Sequence, residues 1–172
     1  TAHTEAVFAA ADTDTDFETF CKIIAVLSPQ TNWKNNIAAA VNLVKQFDAG
    51  ADPDNLQPCG TRYYANAKKA FGILAGTKEL NQKGSPKTYS FYQNIFNPSS
   101  GDYITVDFWI YKAATAFNFS WADWESKTIS VSKASYETIS AAIRIVAKQY
   151  NILPLAAQAV IWLQVKEANK AP

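Results

Sequence analysis

The chain has 172 residues, 48% of them apolar and 18% charged, with a formal net charge of +1. That balance predicts a folded protein of one domain, burying roughly two-thirds of the surface its unfolded chain exposes. No apolar run is long enough to cross a bilayer. The single histidine, His3, and the lack of glycine-rich phosphate loops exclude His-based triads, His-rich metal sites and ATP- or NAD-dependent chemistry, so no cofactor and no metal are expected.

Residues 1–14 are expected to be a flexible segment; they carry no basic start and turn acidic, unlike a secretory leader. Methionine is absent even at position 1, which fits a processed chain. DTDTD at 12–16 resembles a calcium loop but lacks the glycine and glutamate that such a loop needs, so capping is its better use. Thr15 and Glu18 read as a capping box, followed by Phe17, Phe20, Cys21, Ile24 and Leu27 on one helical face. Ser28-Pro29 ends that helix. The next begins near Trp33 and stops at Gly50, and a third opens at Gly60-Thr61 and stops at Gly76.

A short helical turn is predicted around residues 78–81, then a turn at 83–85, then a helix from Pro86 to about Phe96 with Ser85 as its N-cap. A further helix should start near Asp107, after the loop 97–102. Residues 118–132 read as irregular, with Trp121 and Trp124 on the surface of the core. Ile139, Ala142, Ile143, Val146 and Tyr150 mark another long helix, and Pro154 opens a last one that is apolar nearly all round and hence expected to be central. No strand alternation is found. The expected fold is all-α, with seven or eight helices.

Charge is unevenly spread. Residues 1–60 hold three lysines against eight acids, whereas 61–90 hold Arg62, Lys68, Lys69, Lys78, Lys83 and Lys87 against Glu79 alone. Such a patch suits a phosphate backbone, although a solvated lysine-rich face reads the same way. Cys21 and Cys59 are too far apart in sequence to suggest a disulfide framework or a metal site, which fits a reducing cytoplasm. Asn118-Phe-Ser is a formal glycosylation sequon with no sign of secretion beside it.

Lys87 falls in the first turn of its helix, at the positive end, where a cation is electrostatically misplaced. Helix, tight turn, helix, with GSPKT at the turn, aims backbone N–H groups where a phosphate could sit. Asp107 stands twenty residues further on. The ten residues 97–106 can span about 33 Å at ~3.3 Å each, so the two groups could lie across one cleft. Asp107 also reads as a plain N-cap.

GSPKT followed by ITVDFWIYKAA resembles the helix-hairpin-helix DNA glycosylases, in which a lysine follows the hairpin and a Val-Asp pair comes about twenty residues later. LSPQTNWKNNIAAA is similar to their LS-x-Q-T segment, where a polar residue is pushed into the DNA stack. The likeness is strongest to phage and actinobacterial members with SP-x-x-x-W-x-x-N, K-x-x-x-FY-x-NI and TID-x-x-A blocks. Here these are Ser28, Pro29, Trp33 and Asn36; Lys87, Phe91, Tyr92, Asn94 and Ile95; and Thr105, Val106 and Asp107. The resemblance spans roughly residues 20–168, with a hairpin element at about 77–96. The chain departs from that pattern in having one hairpin glycine, Trp109 where a histidine usually follows the aspartate, and no four-cysteine cluster.

The resemblance implies a hydrolase that takes one damaged or modified base, flipped out of DNA, into the cleft between two helical halves. Lys87 would be the nucleophile and Asp107 the carboxylate facing positive charge on the sugar. Lys83, Gly84, Ser85 and Thr88 would meet the DNA backbone, and Gln30, Trp33, Asn36, Tyr92, Asn94 and Trp109 the base or its surroundings. Equally, Trp33 and Tyr92 could be ordinary core, with the amides capping backbone. An attacking lysine must be neutral, which asks for its affinity for protons to fall by about 3 pH units, some 4 kcal/mol. The helix dipole acts with only ~0.3–1 kcal/mol, so burial against Tyr89 or Phe91 is expected to supply the rest. Gln158 and Trp162, one turn apart, are expected to form a polar pair facing the cleft. Two alternatives stand beside this reading: an enzyme that hypermodifies thymine in phage DNA, and a non-catalytic module binding DNA, a nucleotide or a partner in phage–host conflict. The partner common to most of these readings is DNA; neither a membrane nor a metal is expected.

Overall fold

Helical periodicity dominates the sequence, and the computed structural model, which describes residues 2–115 and 131–168, is helical throughout. Eight α-helices run in the order α1 (Ala2–Ala11), α2 (Phe17–Leu27), α3 (Trp33–Asp48), α4 (Tyr64–Leu74), α5 (Pro86–Phe96), α6 (Phe108–Thr115), α7 (Lys133–Gln149) and α8 (Pro154–Ala168), with a single 3-10 turn at Pro98–Ser100. No strand occurs among the described residues. The all-α class is therefore as expected. The helices gather into two compact units, Thr1–Pro98 and Ser99–Pro172.

Unit 1 is built around α2. Phe20, Cys21 and every residue from Ile23 to Leu27 are buried, so this helix is covered nearly all round by α3, α4 and α5. Its N-cap is Asp16, whose carboxylate accepts the Thr19 N–H at 2.9 Å, one residue later than the capping box anticipates. The acidic stretch thus serves as a cap. The N-terminal segment also differs from expectation. It is a helix, α1, whose Val7 and Phe8 pack on the core, with the Phe8 ring 5.3 Å from both Phe17 and Phe20. Apolar side chains every third or fourth residue order it.

Helix ends follow local chemistry. Past α3, Gly50 (φ 73°) donates to Phe47 O while Ala51 donates to Gln46 O; past α4, Gly76 (φ 67°) donates to Ile73 O while Thr77 donates to Gly72 O. Both are Schellman stops, and both need the left-handed residue that glycine supplies without strain. Residues 78–81 carry no helical turn, contrary to expectation: Leu80 is instead drawn into the core as part of an irregular segment.

Unit 2 holds α6, α7 and α8 around Ile104, Val106, Ile110, Ile139, Ile143, Ala147 and Ala157. Here α8 departs from expectation in its burial. It is apolar nearly all round, yet Ala157 alone among its residues is buried, and Val160 and Leu163 are 55% and 54% exposed. It packs on both α6 and α7, as a central helix would, yet much of its apolar surface stays exposed. The expectations for Trp121, Trp124 and most of 118–132 lie outside the described residues.

Because Phe20 is wholly buried at the centre of unit 1, Phe20→Ala should cost about 3–5 kcal/mol. Chemical denaturation followed by far-UV circular dichroism measures this, with Lys45→Ala, on the exposed side of α3, as a near-neutral reference.

Candidate functional site

In unit 1, α4 and α5 are joined by the irregular segment 75–85, which holds the expected hairpin. Asn81 shapes the turn: its side-chain Oδ1 accepts the Gly84 N–H at 2.8 Å and its backbone O accepts the Ser85 N–H at 3.1 Å. Ser85 occupies the N-cap position of α5 but makes no side-chain cap. Its Oγ instead accepts from Lys69 Nζ at 3.2 Å. Pro86 brings no N–H and the Tyr89 N–H donates to Ser85 O at 2.8 Å, so the helix start offers the backbone N–H groups of Lys87 and Thr88, at the end of a helix that receives anions. Lys83, Gly84 and Lys87 are exposed around this end, and Thr88 is half-buried. Not all of the basic segment adds to it, since Lys68 is spent on Asp54 at 2.7 Å.

A second motif joins this surface. Between α2 and α3, Thr31 N–H donates to Ser28 O at 3.1 Å, closing a turn in which Gln30 adopts φ 56°. A left-handed non-glycine residue is strained, and such strain concentrates at working sites. Gln30 is exposed at the tip. Asn32 caps α3 by accepting the Asn35 N–H at 2.9 Å, which fixes Trp33 as the first helical residue. Trp33 is 41% exposed, and its ring meets Phe91 edge-on at a centroid distance of 6.4 Å. Phe91 lies one helical turn beyond Lys87. The upstream turn and the hairpin helix therefore share one flank of unit 1.

Other site residues turn out to be structural. Asn36 is buried; its Nδ2 donates to Ile24 O at 3.0 Å, which places it in the core and not at a DNA-facing surface. Its Oδ1 has no partner. Tyr92 is also core, and its hydroxyl donates to Glu18 Oε1 at 2.9 Å while accepting from Gln93 Nε2 at 3.0 Å. Lys22 completes this group, 2.7 Å from Glu18 and 5.4 Å from the centre of the Tyr92 ring. Asn94 is half-buried on α5. Lys87 is exposed, so the apolar pocket expected against Tyr89 or Phe91 does not enclose it.

In unit 2, Asp107 caps α6. Its Oδ1 accepts the Ile110 N–H at 2.9 Å, and its Oδ2 accepts the Trp162 Nε1–H at 2.9 Å. Gln158, one turn earlier on α8 and half-buried like Trp162, accepts the Thr105 N–H at 2.7 Å, on the segment that carries Asp107. Trp109, half-buried, lies 5.3 Å from the Phe108 ring, and Lys112 Nζ sits 6.0 and 5.5 Å from the centres of Phe108 and Trp109. Lys112 is only 6% exposed, and its four-residue spacing from Phe108 is a signal the sequence offers but that reading for a hairpin lysine passes over. Lys69 was equally hidden, counted in a charge run with nothing to mark it as the partner of Ser85. Among the described residues, no group of three or more His, Cys, Asp or Glu could hold a metal ion, and no helix is long and apolar enough to cross a membrane.

The chain belongs to a family of unknown function (DUF7178), whose pattern matches residues 1–169. No curated protein matches it. No solved structure matches it either.

The Glu18 carboxyl is held below the usual carboxylate value of 4.5, first by the hydrogen bond from Lys22 and then by that from Tyr92. A lowered folded value means that this group's contribution to stability is complete above pH 4.5 and drains away as the pH falls through the lower folded value. The melting-temperature gap between the parent protein and Glu18→Gln should therefore be widest near pH 6 and close on acidification. A gap that is independent of pH would show that the ionised carboxylate does not fasten α5 to α2.

Proposed function

For this member of a family of unknown function we propose a DNA glycosylase-like activity, with the start of α5 in unit 1 as a contact for a DNA backbone and, within unit 2, Asp107 as the carboxylate for the sugar of a flipped, modified base. The observation that carries the reading is the Trp33–Phe91 contact. It sets an exposed aromatic ring and the strained Gln30 turn on the flank of the helix whose N-terminus lacks a side-chain cap. A phosphate would take the backbone N–H groups of Lys87 and Thr88 together with the Lys83 and Lys87 side chains, while Gln30 and Trp33 would meet unstacked bases. In the reaction, the C1′–N bond breaks, the base leaves with the bonding pair and gains a proton, and water supplies the new C1′–O bond. Asp107 would stabilise the positive charge that grows on the sugar.

The exposure of Lys87 changes its expected role. On the surface, the side chain suits a phosphate contact better than covalent attack. A second reading, binding without turnover, is favoured by the prior engagement of both Asp107 oxygens in hydrogen bonds.

DNA affinity should fall steeply with salt, and Lys87→Ala should reduce the slope of log K against log salt by about 0.9 on duplex DNA. Affinity insensitive to salt would sink the proposal. On DNA carrying a panel of modified bases, mass spectrometry should find a released base, with a rate lowered roughly 100- to 1,000-fold by Asp107→Asn. Release unaffected by that change would remove Asp107 from the chemistry; salt-dependent binding with no release would favour the second reading. A borohydride-trapped adduct lost in Lys87→Ala would restore the lysine as nucleophile.

A further inference from the structure

We propose that Trp162 is the positioning residue of Asp107, and that Lys166, lying over the indole, strengthens its hold. The inference rests on Asp107 being the working carboxylate of the activity proposed above. Gln158, Trp162 and Lys166 stand four residues apart on α8, so their side chains rise along one stripe of the helix. The first accepts the Thr105 N–H at 2.7 Å, the second donates to Asp107 Oδ2 at 2.9 Å, and the ammonium of the third lies 4.2 Å from the centre of the Trp162 ring. Two successive turns of α8 thus grip the backbone and then the side chain of residues 105–107.

A carboxylate offers about four lone-pair positions. The Ile110 N–H takes one on Oδ1 and the indole N–H takes one on Oδ2. Two donors on different oxygens fix the plane of the group, which an N-cap alone would leave free to rotate about its long axis. One acceptor position remains on each oxygen for a substrate or a water. An indole is a donor only, so it cannot exchange roles with its partner. A cation over the ring is drawn to its π face and in turn pulls electron density from it. The N–H at the ring edge thereby becomes a stronger donor, as hydrogen bonds in a polarised chain do. Lys166 is exposed and makes its contact through the ring alone among the interactions described, so it can modulate the carboxylate without touching it.

The test couples a spectrum to kinetics. In 15N-labelled protein, Trp162→Phe identifies the Trp162 indole resonance among those of the five tryptophans. Asp107→Asn should move that resonance and speed its exchange with solvent, and Lys166→Gln should move it by a smaller amount in the same direction, with Lys166→Arg restoring it. An indole signal indifferent to Asp107→Asn would overturn the proposal, whether or not DNA is a substrate. In base release, Trp162→Phe, which keeps the ring, should lower kcat by roughly ten- to a hundredfold with KM unchanged, and Lys166→Gln should lower it less. Equal loss in KM, or kcat at the parent level in Trp162→Phe, would also overturn it. If the parent protein releases no base, the activity reading fails, and the indole response to Asp107→Asn and Lys166→Gln still decides the hold on the carboxylate.

Discussion

The Asp107 carboxylate is the junction on which the second unit turns. One oxygen closes the N-terminus of α6 and the other receives the Trp162 indole from α8, so a single side chain ties two helices. Each bond to a charged acceptor is worth more than its neutral counterpart, about 1.5–3 kcal/mol. Because Val106 and Ile104 beside it are buried, the backbone entering α6 has little freedom to release that grip. The Tyr136 hydroxyl, which donates to Ile104 O, ties α7 to the same segment. All three helices of unit 2 therefore converge on residues 104–107.

Unit 1 solves a different problem with comparable means. An apolar helix, α2, is wrapped by three others, and what remains at the surface is arranged by turns. The Ser85 hydroxyl is diverted from capping α5 to receiving Lys69. Forgoing a serine cap costs a helix roughly 0.5–2 kcal/mol. The left-handed Gln30 adds local strain of a similar order. Two unfavourable local choices on one flank are hard to account for by folding alone, since the same turns could be closed by a glycine and a capped serine. They make sense where a phosphate would satisfy the first and a nucleic acid would meet the second.

Much of this was legible in the sequence because it is written in short-range chemistry. Gly50 and Gly76 announce helix ends through a backbone conformation other residues resist. Asp107 before FWIYKAA announces a cap. What stayed hidden depends on partners distant along the chain. Nothing near Ser85 indicates that Lys69 will claim its hydroxyl, and nothing near Tyr92 indicates that its ring will be buried while its oxygen reaches Glu18. Asn36 illustrates the same limit from the other side: an amide in a motif block looks like a ligand contact until burial shows it holding the end of α2. The apolar sequence of α8 misled for a further reason. Hydrophobicity on every face measures what a helix could bury, whereas the neighbours available determine what it does bury.

The exposed ammonium of Lys87 bears on which chemistry such a surface could support. Covalent attack by a lysine requires a neutral amine, and the roughly 4 kcal/mol this takes is far beyond the ~0.3–1 kcal/mol of a helix N-terminus. Only removal from water is large enough. Lys87 is exposed, so neither Tyr89 nor Phe91, the apolar candidates for that role, encloses it. The exposure of its side chain and the absent side-chain cap of α5 both suit a contact to a phosphate, the role proposed for Lys87.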